Sequence, residues 1–122
     1  MDADEIIEHL GLEPHPEGGF FRETWRHDPG DGSRGAGTAV YFLLKPGQRS
    51  YWHRVDADEL WLWHGPGTLT LQVGEERVGL GPGVPQVLVP AGTWQAAEPG
   101  ADEVLVTCVV SPGFVWEGFR LD

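Results

Sequence analysis

Turn residues set the length of every element this chain can form. Eighteen Gly and ten Pro are spread along its 122 residues, which favours many short runs joined by turns over long helices. The runs between them are strand-like: Phe20–Arg26, Thr38–Leu44, Glu59–His64, Thr68–Val73, Gln86–Val89, Val104–Val110 and Phe114–Leu121. Only Asp2–Leu12 reads as a helix. Ile6, Ile7 and Leu10 share one of its faces, Asp4 is placed to cap the first turn, and Gly11 ends it. Regularly spaced short strands with Gly/Pro turns predict an all-β sandwich or closed barrel. No repeat or linker divides the chain, so residues 1–122 are expected to form a single domain, close to the small end of what builds a good core alone. The Asp28–Gly37 stretch, polar and glycine-rich, is expected to be a mobile surface loop.

Charge and composition remove several classes of function. Eight basic residues against nineteen acidic ones leave a net charge of −11, which repels phosphate backbones and anionic lipid, so neither nucleic acid nor membrane is an expected partner. A single Cys cannot form an internal disulfide and suits a reducing compartment. The opening residues do not read as a signal peptide, and no apolar run approaches the ~20 residues of a membrane helix. A cytoplasmic protein is the expectation. Thr38–Leu44 and Val104–Val110 are apolar on both faces, more than one small barrel can bury, which predicts a homodimer formed through the outer sheet surface.

Chemistry concentrates at His53-Arg54-Val55-Asp56-Ala57-Asp58-Glu59, between Gly47 and Gly65. Strand alternation puts Glu59, Trp61 and Trp63 on one face, opposite Leu60 and Leu62. A carboxylate flanked by indoles belongs at a barrel mouth or in a pocket, because an unpaired buried carboxylate is costly. An imidazole with an ordinary pKa of ~6.5 can abstract a proton at neutral pH. Asp56, Asp58 and Glu59 are the nearby carboxylates that would orient it, and Tyr41 or Tyr51 would donate a proton from the opposite side. Aromatic walls from Phe20, Phe21, Trp52, Trp61 and Trp63 would suit a flat or sugar-like ligand. Arg22 and Arg54 are candidates to clamp an anionic group. Trp25, Trp94 and Trp116 read as core or interface residues, and Cys108 as a small buried hydrophobe.

Gly47, His53, Glu59 and Gly65 resemble the first signature of the cupins: a glycine, five residues, a histidine, a second histidine two positions on, then a glutamate and a glycine. Val55 stands where the second histidine would be. Gly83, six residues, and Pro90-Ala91-Gly92-Thr93-Trp94-Gln95 resemble the second signature, with one extra residue in the gap and Gln95 in place of its histidine. The longer series Leu12-Glu13-Pro14-His15-Pro16-Glu17-Gly18-Gly19-Phe20-Phe21-Arg22-Glu23-Thr24, Tyr41-Phe42-Leu43-Leu44, Trp52-His53-Arg54, Asp58-Glu59-Leu60-Trp61, Val89-Pro90-Ala91-Gly92-Thr93-Trp94 and Pro112-Gly113-Phe114 is similar to the small single-domain cupins of cupin family five, a domain of unknown function.

That resemblance implies a homodimeric jelly-roll β-barrel, akin to sugar-nucleotide epimerases in fold, with a short N-terminal helix. It implies a cavity lined by His53, Glu59 and Gln95 and bordered by Glu17. The usual cupin centre takes three imidazoles and a carboxylate around a divalent iron, manganese, nickel or zinc ion. Here the four positions read His53, Val55, Glu59 and Gln95, a poor donor set, so no cofactor is expected; a divalent transition metal, if one binds, would use His53, Glu59 and Gln95. The resemblance further implies a metal-independent isomerase or epimerase that moves a proton on a carbohydrate-like or carbonyl metabolite. A non-catalytic ligand-binding cupin and a metal-dependent oxygenase or isomerase are the alternatives.

Overall fold

The structure, a computed structural model, describes residues Met1–Asp122. Its elements in chain order are α1 (Ala3–Leu10), β1 (Glu13–Pro14), β2 (Phe20–Arg26), β3 (Thr38–Leu44), β4 (Ser50–Val55), β5 (Asp58–Pro66), β6 (Leu69–Val73), β7 (Glu76–Leu80), β8 (Gln86–Val89), β9 (Gln95–Pro99), β10 (Val104–Ser111), a 3₁₀ turn at Trp116–Gly118 and β11 (Phe119–Leu121). One sheet runs β1-β2-β3-β10-β5-β8 and the other β11-β4-β9-β6-β7, every pairing antiparallel. They face each other as the expected jelly-roll barrel, with one short helix outside it. No helix is long and apolar enough to cross a membrane.

The long apolar strands form where period-two alternation and β-branched residues predict them. Sequence reading passes over β1, β4, β7 and β9. Gln95-Ala96-Ala97-Glu98-Pro99 has no β-branched or aromatic residue, yet it lies in the sheet interior between β4 and β6 because its neighbours hydrogen-bond it there. Phe114–Leu121 is strand only at Phe119–Leu121, since the 3₁₀ turn occupies its middle. At the N-terminus Asp2, not Asp4, caps α1: its side chain accepts from the Glu5 N–H at 2.9 Å while Glu5 accepts from the Asp2 N–H. Asp4 instead pairs with Lys45 at 2.7 Å.

The barrel is packed at one end and open at the other. Leu44, Leu69, Leu71, Leu80, Val104 and Val106 fill the packed end, with Phe42, Trp61 and Cys108 in the same cluster. Toward the open end the inward positions of the same strands become Thr38, Val40, Glu59 and Val110, and a cavity takes the place of the core. Helix α1 covers part of the outer sheet surface, where Ile6 and Leu12 meet Leu43, with Phe20, Tyr41 and Leu105 beside them. Some of the outward apolar surface that predicts a partner is therefore buried by the chain's own helix. The Asp28–Gly37 loop is anchored rather than free: Arg34 donates to the Gly113 carbonyl at 2.6 Å and pairs with Asp56 at 2.8 Å.

Candidate functional site

The cavity, about 130 Å³, is lined by side chains from six strands and two loops. That volume suits a small ligand. Phe42, Trp61 and Cys108 form its floor, and Phe21, Phe114, Trp116 and Phe119 stand around it.

Glu17 sits among the polar groups because its loop reverses sharply. Gly18 and Gly19 take φ of +102° and +77°, values open to glycine at no steric cost. The Gly18 N–H bonds the His15 carbonyl at 3.0 Å, and the Glu17 carbonyl accepts from the Tyr51 N–H at 2.7 Å, docking the loop on β4. The Glu17 carboxyl then reaches both histidines: Oε1 is 3.4 Å from His15 Nδ1 and Oε2 is 3.3 Å from His53 Nε2. Ser50 Oγ also donates to Oε2.

Hydrogen-bond chemistry assigns the tautomers. His53 Nδ1 lies 2.8 Å from the Tyr51 carbonyl oxygen, an acceptor only, so Nδ1 carries the proton and Nε2 is the free position facing Glu17. His15 Nδ1 accepts the Glu17 N–H at 3.0 Å, which puts the neutral ring's proton on Nε2. On the other side, Trp61 Nε1 donates to Gln95 Oε1 at 2.9 Å, which turns the amide so that Gln95 Nε2 donates to Glu59 Oε1 at 2.9 Å. Every buried polar side-chain atom has a partner.

Burial dominates the electrostatics. It raises the Glu17 pKa to about 7 against the Ser50 hydrogen bond. It raises Glu59 to about 7 as well, reinforced by the charge of Glu17 and opposed by His53. Burial lowers His15 to about 4, helped by repulsion from His53. It lowers His53 too, against the charge of Glu59 and the Tyr51 hydrogen bond. Burial and the neighbouring carboxyls hold the Cys108 thiol protonated. The result is two carboxyls that titrate near neutrality beside two imidazoles that stay uncharged there.

The structure brings together Glu17, His53, Glu59 and Trp61 on the cavity wall, with Gln95 directly behind Glu59. Other sequence candidates lie elsewhere, among them Trp52, which sits outside the cavity beside Trp94 and Asp122. Tyr41 faces outward from β3 into the cluster under α1, because its neighbour Phe42 takes the inward position. Phe20 is in that same outer cluster, with Lys45 5.2 Å above its ring. Arg22 ties β2 to the helix through the Leu10 carbonyl at 3.1 Å. Tyr51 leaves 56% of its surface exposed and meets Arg49; only its backbone carbonyl serves His53. Trp63 shares the inward face with Glu59 and Trp61, but one step further inward it meets the packed end, where its Nε1 donates to Gly67.

The carboxylates expected to orient His53 differ as well. Asp56 pairs with Arg34 and Asp58 accepts from the Ala91 N–H, while Glu17, thirty-six positions upstream, is the group within reach. Arg54 stacks on Trp94 outside, 5.0 Å from its ring. Sequence reasoning passes over His15, Glu23, Arg26, Phe114, Trp116 and Phe119 as cavity residues. The two prolines flanking His15 were the available signal, since they rigidify a loop carrying an imidazole and a carboxylate. Nothing local marks the C-terminal aromatics.

The family model described as Cupin superfamily (DUF985) matches residues 4–122. A protein of Shewanella oneidensis with a solved crystal structure is 40% identical, with a TM-score of 0.93 over 100% of this chain and 85% of its own. A hypothetical protein from Leishmania major is 32% identical, with a TM-score of 0.89 over 100% of this chain and 88% of its own. Streptomyces PAC13, solved with uridine, shares the fold at 14% identity and a TM-score of 0.70, over 91% of this chain and 82% of its own. No curated protein matches the chain. The chain belongs to the cupin superfamily, in this DUF985 family.

Proposed function

We propose that this cupin binds a small molecule in its barrel cavity and moves a proton on it, as an isomerase or epimerase acting at a carbon beside a carbonyl. The observation that carries the reading is the Glu17 carboxyl held between two imidazoles, opposite a second buried carboxyl, with both carboxyls titrating near 7. Pairs of such groups are how one pocket supplies an acid and a base at neutral pH. His53 Nε2 takes the proton from carbon, and the C–H electron pair moves toward the carbonyl oxygen. Glu17 offsets the charge that appears on the imidazole. Glu59 in its protonated form returns a proton to the other face of the same carbon. Glu59 thus fills the place that Tyr41 or Tyr51 holds in the sequence reading, and Glu17 that of the orienting carboxylate. Trp61 and the aromatic ring of residues position the ligand by stacking.

The metal of the usual cupin centre does not fit these residues. Val55 has no donor, Gln95 Oε1 is engaged by the Trp61 indole, and its amide nitrogen points at Glu59. No three His, Cys, Asp or Glu side chains group as a metal site. A second copy is proposed to cover Leu60, Leu62, Leu88 and Val109, the outward apolar residues that α1 leaves open.

The test is solvent exchange: small carbonyl compounds incubated with the protein in deuterated water, followed by proton NMR. Exchange peaks near pH 7, is unchanged by chelator, and falls at least ~100-fold in His53→Asn, with circular dichroism unaltered. Near-stoichiometric iron, manganese, nickel or zinc that His53→Asn releases would overturn this account. Ligand uptake without exchange in any compound would make the protein a binding module.

A further inference from the structure

Every basic side chain that reaches the cavity is already neutralised. Arg26, at the mouth, donates to both oxygens of Glu23 at 2.8 Å and to the Phe114 carbonyl at 2.8 Å. His53 is held with Nδ1–H on the Tyr51 carbonyl and Nε2 facing Glu17, and His15 is a neutral ring whose Nδ1 accepts the Glu17 N–H, so neither imidazole brings a charge. Arg22, Arg34 and Arg54, the other nearby cations, are engaged outside by Leu10, Asp56 and Trp94. A phosphate or carboxylate entering this cavity would find no unpaired cation, and two buried carboxyls facing it.

The walls offer the opposite. Phe42 and Trp61 meet at 88°, Phe114 and Trp116 at 88°, and Trp116 and Phe119 at 85°. Rings set at such steep angles around one space present π-faces as well as edges, and π-faces attract cations, most strongly when water is excluded. The chain's net charge of −11 adds a field that concentrates cations at its surface.

From this distribution of charge and rings we infer that the cavity's ligand is a small organic cation, a carbonyl compound bearing an ammonium group, held by Phe114, Trp116 and Phe119 and by the carboxylate of Glu17. The inference rests on the proton-transfer reading for the cavity's use, and it excludes phosphorylated sugars, nucleotides and keto acids as ligands. Binding of a cation favours the ionised form of Glu17, so it releases a proton and tightens as pH rises through about 7. Of the other groups facing the cavity, Glu59 titrates in the same range, Glu23 and Arg26 remain paired, and burial disfavours the charged forms of His15, His53 and Cys108.

The probes are choline, its uncharged isostere 3,3-dimethylbutan-1-ol and the anion pivalate, titrated at pH 6 and pH 8 while the indole N–H signals of Trp61 and Trp116 are followed by NMR. Choline binds about tenfold more tightly than the isostere at pH 8, loses affinity at pH 6, and pivalate produces no shift. Trp116→Ala weakens choline about tenfold and the isostere less. Equal or tighter binding of the isostere, displacement by pivalate, or failure of choline to move either indole signal would overturn the inference. Such a failure alongside continued deuterium exchange on a neutral carbonyl compound would remove the cation and leave the proton-transfer reading standing. Choline binding without exchange would do the reverse.

Discussion

Glu17 is a residue that folding pushes toward its neutral form, and that has a consequence for stability. Its carboxyl rises from 4.5 to about 7 on burial, so the folded chain holds a proton that the unfolded chain releases between those pH values. Stability from this group is complete below about 4.5 and is lost as pH rises through about 7. Burial of His15 acts in the opposite sense, its contribution lost as pH falls from 6.5 toward about 4. The difference between wild type and Glu17→Gln isolates the carboxyl from that background. The variant gains on the order of 2–3 kcal/mol relative to wild type between pH 4 and pH 8, read from urea midpoints at both values. A difference independent of pH would mean that Glu17 titrates normally. His53, Glu59 and Gln95 were legible as a group because they occupy motif positions. Glu17 became its partner only through the docking of a loop on β4.

At the scale of the element, the Pro14–Gly19 turn decides whether that docking occurs. A β-carbon on Gly18 would stand 2.1 Å from the Arg49 carbonyl oxygen at a φ of +102°, so both space and backbone conformation exclude a side chain. Gly18→Ala therefore costs about 2 kcal/mol or more, seen as a lower thermal midpoint, and it separates Glu17 from His53. The same variant at Gly47, where nothing lies within 4 Å of the added carbon, isolates the penalty of positive φ alone and costs less. Strands were legible where they are long and β-branched, as in β3 and β10. They were not legible in β9, whose alanines carry no pattern, or in β4, whose polar residues serve the cavity and disguise the alternation.

For the whole molecule, the open question is what covers the outer face of the larger sheet. Leu88 exposes 52% of its surface, and Leu60, Leu62 and Val109 lie beside it on paired strands. A two-fold contact there is the proposed cover, and a stable interface typically buries ~1,600 Å² in total. Light scattering at micromolar concentration is expected to give a dimer mass, and Leu88→Glu to give a monomer with an unchanged cavity. A monomer in the wild type would show that α1 is cover enough.

Composition and local pattern by themselves determined that this chain is an all-β sandwich or barrel with one short helix, because turn residues and side-chain alternation act over a few residues and need no partner. The resemblance to the cupin signatures, carried by residue identity at motif spacing, implied that His53 and Glu59 share a pocket and that the usual metal donors are incomplete. Tertiary structure alone decided which aromatics wall the cavity, that Trp63 packs away from it while Trp116 and Phe119 close on it, and that Glu17, not Asp56 or Asp58, reaches the imidazole. Those outcomes depend on where the packed core ends along each strand and on contacts between segments far apart in the chain. No local pattern records such contacts.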